Sequence, residues 1–451
     1  MPQTNDFTHG RILSPLLRFM LPVLMAMFLQ SMYGAVDLMI VGKFAEPLDV
    51  SAVSTGSQIM MTITNLVTSF AMGTTILLGR RIGEGNAGDG GRVIGSSICL
   101  FAVIAVLLTA AIPLASPSLS RIMHAPEEAF ASTVSYTRIC GFGSLFIIAY
   151  NLIGSIFRGI GDSKTPLLTV LIACIFNIAG DLLLVAVFHM GTAGAAIATV
   201  AAQAFSVVIS FRLIRRKDLP FRVSRKDLHF DGAVIRQVTK LGLPIALQDL
   251  LVGVSFLVLL AIVNSLGLTP SAGVGIAEKV CGFIMLIPAA FMQAMAAFVA
   301  QNMGAKRYDR AKKALLYAVG VSAALAVFMF LITFFRGDLL SGIFENDAAV
   351  IRASADYLKA YAIDCLLTCF LFCLIGYFNG LGMTRFVMIQ GIVGAFCVRI
   401  PVAFLMSREV PVSMFHMGLA TPCATVVQVL MCLVCFVLAD RKYGRPKNRV
   451  D

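Results

Sequence analysis

A chain of 451 residues that is 58% hydrophobic and only 13% charged cannot coat a large water-soluble globule, because soluble domains carry about 25% charged residues. Its apolar excess must face lipid. The formal net charge of +12 does not point to nucleic acid, since the basic residues fall in short runs between long apolar segments, as the positive-inside rule places them.

Read in order, the chain offers twelve apolar stretches, each long enough to cross a hydrocarbon core about 30 Å thick. They lie at roughly 16–41, 51–79, 92–115, 131–157, 165–188, 191–211, 239–263, 273–300, 313–335, 355–378, 385–407 and 414–438. These runs are far longer than the alternating segments of a β-barrel. The first is too long for a cleavable signal segment and is followed by another membrane stretch. Pro22, Pro244, Pro288 and Pro401 fall inside stretches, where neighbouring helices can satisfy the freed carbonyls. The eleven cysteines are mostly scattered along apolar segments, Cys365, Cys369, Cys373, Cys432 and Cys435 among them. They read as small buried hydrophobes rather than a disulfide framework.

Charge sets the expected topology. With a cytoplasmic N-terminus, 27 of the 36 lysines and arginines fall in inner regions. Nine of those lie between Arg212 and Lys240, against three aspartates. The outer regions hold Lys43, Arg121, Arg336, Arg352 and Arg408. Both termini and the connector are therefore expected in the cytoplasm of a bacterial inner membrane. The connector's length would leave its flanking halves free to move, and residues 225–240 suit a surface helix along the headgroups.

The halves repeat. LPVLMAMF at Leu21 matches LPIALQDL at Leu243, RRIGEGN at Arg80 matches QNMGAKR at Gln301, and FRGIGDS at Phe157 matches FNGLGMT at Phe378. HMGTAGAAIAT at His189 matches HMGLATPCAT at His416. Six helices per half is an even number, so the repeats are parallel, about an axis near the membrane normal. The expected fold is an all-α polytopic membrane protein of twelve transmembrane helices in two parallel six-helix lobes. The lobes are 1–211 and 239–451, joined by a linker over 212–238. That architecture suits alternating access.

Polar groups within the stretches mark candidate sites, because a membrane carboxylate costs at least ~2.5 kcal/mol even on a lenient scale and needs a cavity or a partner. Asp37 sits near the outer end of the first helix. Asn177 and Asp181 are four apart on one face of the fifth, at comparable depth. If the acids converge they form a cation site, and two close carboxyls can share one proton. Tyr33, Asn151, Thr192 and Gln203 are possible polar neighbours; the alternative is a static network with Arg138. In the second half, Glu278, Asp364 and Arg399 can meet by depth, with Lys279 beside Glu278 and Asp249 in the inner half of the seventh helix. These make either a salt-bridge network or a site for a cationic substrate, with Phe, Met and Tyr to flank it.

GEGNAG at Gly83 follows a membrane helix rather than a strand and reads as a turn, not a dinucleotide site. No phosphate-binding loop, nucleophile triad or metal cluster appears, so the reading is not an enzyme, and transport must draw on a gradient or a partner protein.

The opening LPVLMAMFLQSMYGAVDLMIVGKF, the helix ends AMGTTILLGRRIGEGN and FRGIGDSKTP, the Asn177–Asp181 stretch and the repeated second half together resemble the MATE (multidrug and toxic compound extrusion) family, most closely its bacterial MepA-type branch. The likeness extends over nearly the whole chain. It implies a V-shaped fold and export of lipophilic cations in exchange for protons or sodium ions, without a cofactor. It also implies a coupling site, possibly for Na+, at the positions of Asp37, Asn177 and Asp181. Small-molecule cations and the lipid bilayer are then the expected partners, and a monomer the expected unit. The rival transporter reading is a flippase for lipid-linked oligosaccharide, which would want a strongly basic cavity. A reading of another class is a non-transporting membrane scaffold, which would tolerate substitution of Asp37 and Asp181.

Overall fold

Within lipid a backbone must satisfy its own hydrogen bonds, which leaves helices as the answer to so many long apolar runs. The computed structural model describes residues 7–216, 224–409 and 411–443. Part of the expected connector, 217–223, and the basic tail, 444–451, lie outside them. The described residues contain helices and no β-strand.

In chain order, α1 (Leu13–Phe44), α2 (Pro47–Gly83) and α3 (Ala87–Ile122) are long and nearly contiguous. The next are α4 (Glu127–Phe142), α5 (Ser144–Gly159) and α6 (Lys164–Asp181), which continues through a π-helical stretch, Leu182–Val187, and α7 (Gly191–Arg216). Then come α8 (Gly232–Asn264), α9 (Leu268–Ile284), α10 (Leu286–Gly304), α11 (Tyr308–Phe335), the short α12 (Gly337–Gly342) and α13 (Ala348–Gly380). A last long helix is made of α14 (Thr384–Ile392), a second π stretch, Val393–Arg399, and α15 (Ile400–Met406), before α16 (Met414–Gly418) and α17 (Ala420–Tyr443) close the chain. Eleven spans are long and apolar enough to cross a membrane, and the bent pair α4–α5 makes the twelfth. Large apolar side chains such as Val106, Leu114, Leu268 and Phe328 are exposed, as lipid-facing positions should be.

Two features depart from the expected elements. The stretch 131–157 is not one straight helix but turns by 55° between α4 and α5. The turn is at Gly143, where a Cβ would lie 2.4 Å from Val200 Cγ2 of α7; the missing side chain admits α7 at the point where the helix breaks. Nor does a surface helix form over 225–240. Residues 225–227 make a single 3₁₀ turn and α8 already starts at Gly232, because Asp231 Oδ1 accepts from the N–H of Ala233 (2.9 Å) and Val234 (3.3 Å) and caps it. The preceding residues are held to α3. Ser96 donates to the His229 carbonyl at 3.1 Å, Arg92 pairs with Asp231, and a Cβ at Gly95 would meet the Asp227 carbonyl oxygen at 1.9 Å.

The chain forms two compact units, one containing Leu21–Ala246 and the other Phe7–Met20 together with the residues from Leu247 onward. This division differs from the expected 1–211 and 239–451, because it falls inside α1 and inside α8. Unit 1 has a core around Ile40, Val53, Met60, Ile112, Tyr136 and Val185. The core of unit 2 lies around Leu259, Val274, Tyr357, Tyr361, Cys365 and Met417.

Candidate functional site

In unit 1, α1 carries Asp37 with 4% exposure, and α6 carries Asn177 with 2% and Asp181 with none. The helical period that puts Asn177 and Asp181 on one face of α6 turns both inward. The carboxyl groups of Asp37 and Asp181 lie within hydrogen-bonding reach of each other. Yet among the described residues no donor serves Asp37 Oδ1, either oxygen of Asp181, or Asn177 Oδ1. Four buried acceptor atoms are thus left with nothing positive or protic to accept from. Two carboxylates cannot hydrogen-bond each other unless one carries a proton, so the set is built for a proton or a small cation.

The surround is aromatic and polar. Tyr33, one turn before Asp37, is hydrogen-bonded to Gln203 of α7. Asn177 Nδ2 donates to Thr199 Oγ1 at 3.3 Å, and Thr199 also bonds Tyr136 of α4. Tyr136 and Thr199 escaped the sequence reading. Their signal was there in the same four-residue spacing that marked Asn177 and Asp181, since Thr199 and Gln203 share one face of α7.

Three candidates lie elsewhere. Thr192 is bonded through its backbone N–H (3.2 Å) and its hydroxyl to Asp49 at the start of α2. Asn151 accepts from Thr68 at 2.9 Å and donates to the Ile147 carbonyl at 2.8 Å. Arg138 Nε donates to Ser116 Oγ at 3.2 Å, and among the described residues no ion pair joins it to either acid.

Unit 2 brings Glu278, Asp364 and Arg399 together around Tyr357, which senses the charge of all three. Asp364 of α13 is hydrogen-bonded to Thr425 of α17, and Arg399 closes the second π stretch as Asp181 precedes the first. Asp249 on α8 and Lys279 on α9 are exposed. Among the described residues no three His, Cys, Asp or Glu side chains are grouped to hold a metal ion.

Twelve apolar spans, a doubled architecture and buried, unneutralised carboxyls define a multi-pass membrane transporter rather than an enzyme. The family profile described as MatE matches residues 22–183 and again 244–405, the second match displaced like the repeat itself, and the chain belongs to that family. It is similar to the probable multidrug resistance protein YpnP of Bacillus subtilis, 28% identical over 300 residues, covering 66% of this chain and 67% of the relative. It is likewise similar to the multidrug export protein MepA of Staphylococcus saprophyticus, 23% identical over 444 residues and 97% of each chain. Among solved structures, the outward-facing form of a multidrug resistance MATE family transporter of the MOP superfamily superposes with a TM-score of 0.91 at 19% identity, covering 98% of this chain and all of the other. A MOP superfamily transporter from Pyrococcus furiosus, described as having a binding pocket of reversed polarity, superposes with 0.89 at 20% identity, over 98% and 99% of the chains. At such identities the likeness carries the fold.

Proposed function

We propose that this protein exports lipophilic cationic compounds across the bacterial cytoplasmic membrane by alternating access, in exchange for protons or sodium ions. The observation that carries this reading is the set of four donorless oxygens on Asp37, Asn177 and Asp181. An acceptor-only cluster inside a membrane is stable only when something positive occupies it, and a protein that must fill and empty such a cluster can couple its shape to an ion gradient. The export names of the relatives support the direction and the drug-like substrate class.

In this scheme the ion enters between Asp37 and Asp181 from outside, and Asn177 completes its oxygen environment. Once the acids are neutralised they no longer repel, and α1 and α6 can close on one another. The ion then leaves to the inside, where a substrate cation binds next. One monovalent ion entering for one monovalent cation leaving moves no net charge, so the membrane potential contributes nothing and each pH unit supplies about 1.36 kcal/mol. Both termini and the central connector lie on the cytoplasmic side in this reading, on the strength of the basic-residue distribution, and the single chain is the working unit.

Dye efflux from proteoliposomes tests it. An imposed pH gradient or an imposed sodium gradient should drive ethidium movement, and the one that does identifies the ion. If neither gradient moves the dye, or if Asp37→Asn and Asp181→Asn both keep full gradient-driven efflux, the scheme is wrong.

A further inference from the structure

Unit 2 holds membrane charges that the coupling scheme leaves unused. Asp364 is 1% exposed and Arg399 is 5% exposed, and the two attract one another. Each also has its own anchor. Arg399 Nη1 donates to Ser255 Oγ at 2.8 Å and the guanidinium lies 4.1 Å over the Phe256 ring, while Asp364 is bonded to Thr425. Still, Asp364 Oδ1 and Arg399 Nε are buried without a hydrogen-bond partner.

Glu278 of α9 is in a different position. Its Oε1 is buried and receives no hydrogen bond, and among the described residues no ion pair reaches it. The lysine beside it, Lys279, is exposed. Two acids set against one guanidinium leave the cluster one positive charge short. A membrane carboxylate without a counter-charge is costly, so the shortfall needs filling from outside the chain.

We propose that Arg399 is a fixed cation for Asp364, and that Glu278 is the ligand-binding carboxyl of unit 2, taking one lipophilic organic cation against the Tyr357 ring. The walls favour an organic cation over an alkali ion. One carboxylate and an aromatic ring supply charge and cation–π attraction, whereas no three acid, His or Cys side chains are grouped there to replace a hydration shell. Glu278 is only partly buried as a residue, so a ligand can reach it, while the Asp364–Arg399 pair stays sealed. This deepens the efflux reading by naming a substrate-contact acid, and rests on it for the substrate class.

Binding of tetraphenylphosphonium to the full-length protein in nanodiscs tests this without requiring transport. The Asp37→Asn/Asp181→Asn background silences the carboxyl pair of unit 1. One saturable site is expected there, weakened about tenfold or more by Glu278→Gln and kept within about threefold by Glu278→Asp, since each factor of ten is 1.4 kcal/mol. The double change Asp364→Asn/Arg399→Met, which removes the internal pair together, should also stay within about threefold by the same scale. Sodium chloride exchanged for choline chloride at constant ionic strength should not displace the ligand. The proposal is overturned by no saturable binding, by unchanged binding in Glu278→Gln, by equal loss in the double variant, or by displacement with sodium. Failure of the efflux reading looks different: the wild-type chain would move no dye under any gradient while this binding persists.

Discussion

Asp37 and Asp181 meet carboxyl to carboxyl within unit 1, and the oxygens they leave over have no donor. An amide in place of either acid supplies the missing donor, so Asp181→Asn imitates the occupied site permanently. A buried hydrogen bond to a charged group is worth about 1.5–3 kcal/mol, and the variant should melt at or above the wild-type temperature while gradient-driven efflux falls at least about tenfold. Asp37→Asn should behave alike. Melting in nanodiscs alongside dye efflux separates the outcomes, and a variant that is merely unfolded, with both readings down together, would contradict the proposed role.

The close approach of α2 and α8 inside unit 1 is made by two glycines. A Cβ at Gly242 would lie 2.2 Å from the Phe70 carbonyl oxygen, and one at Gly73 would lie 2.5 Å from that of Val238. Both obstacles are backbone and cannot rotate away. Gly242→Ala should therefore destabilise by about 1–3 kcal/mol, the usual range for overpacking. Gly253 on the same helix has open space where its Cβ would go, and alanine there should stabilise by about 0.5–1 kcal/mol through helix propensity. Opposite shifts in melting temperature check the pair, and equal shifts would sink the argument.

These elements differ in how visible they were beforehand. The spans were legible because a membrane demands long apolar runs, and the repeat because its end motifs recur in order. Asp37 and Asp181 could be paired by depth alone. The bend at Gly143 was not visible, since an apolar run reads the same whether straight or broken, and what breaks this one is Val200 on a distant helix. Asp49 was overlooked because it stands at a helix start, where an acid is ordinary, and only folding brings Thr192 to it. The basic stretch 225–240 misled because its charges resemble a surface helix, whereas Asp231 caps a membrane helix and fixes where that helix begins.

Asp231 also gives a pH expectation. The Val234 N–H and the Arg92 guanidinium hold its carboxyl below the usual carboxylate range. A group whose folded value is depressed contributes stability above its unfolded value, near 3.9, and loses that contribution as pH falls through the folded value. Melting followed from neutral pH downward should show an acid limb starting below about pH 4 that is shallower in Asp231→Asn. An identical limb in both proteins would remove Asp231 from the cause.

The N-terminal segment of unit 2 is held by a single side chain. Arg310 at the start of α11 donates to the carbonyls of Phe7 (2.7 Å), His9 (2.7 Å), Gly10 (2.6 Å) and Arg11 (2.9 Å). Arg307 reaches Thr8 at 2.5 Å and Asn302 reaches Phe7 at 3.0 Å. Phe7 is fully buried, its ring 5.3 Å from Phe19 and 5.0 Å from Phe298. A guanidinium suits this task because its five N–H groups point outward in one plane, whereas a lysine ammonium has three donors at one point. Arg310→Lys should therefore keep the charge and still loosen the segment. Arg310→Gln should loosen it further, with a stability loss of about 1.5–3 kcal/mol for hydrogen bonds to a charged group. Arg307→Gln removes one bond only and should do less. Hydrogen exchange at residues 8–11, compared with exchange in the middle of α13, reads the effect. Unchanged protection in Arg310→Gln would show that the ring packing of Phe7 alone holds the segment.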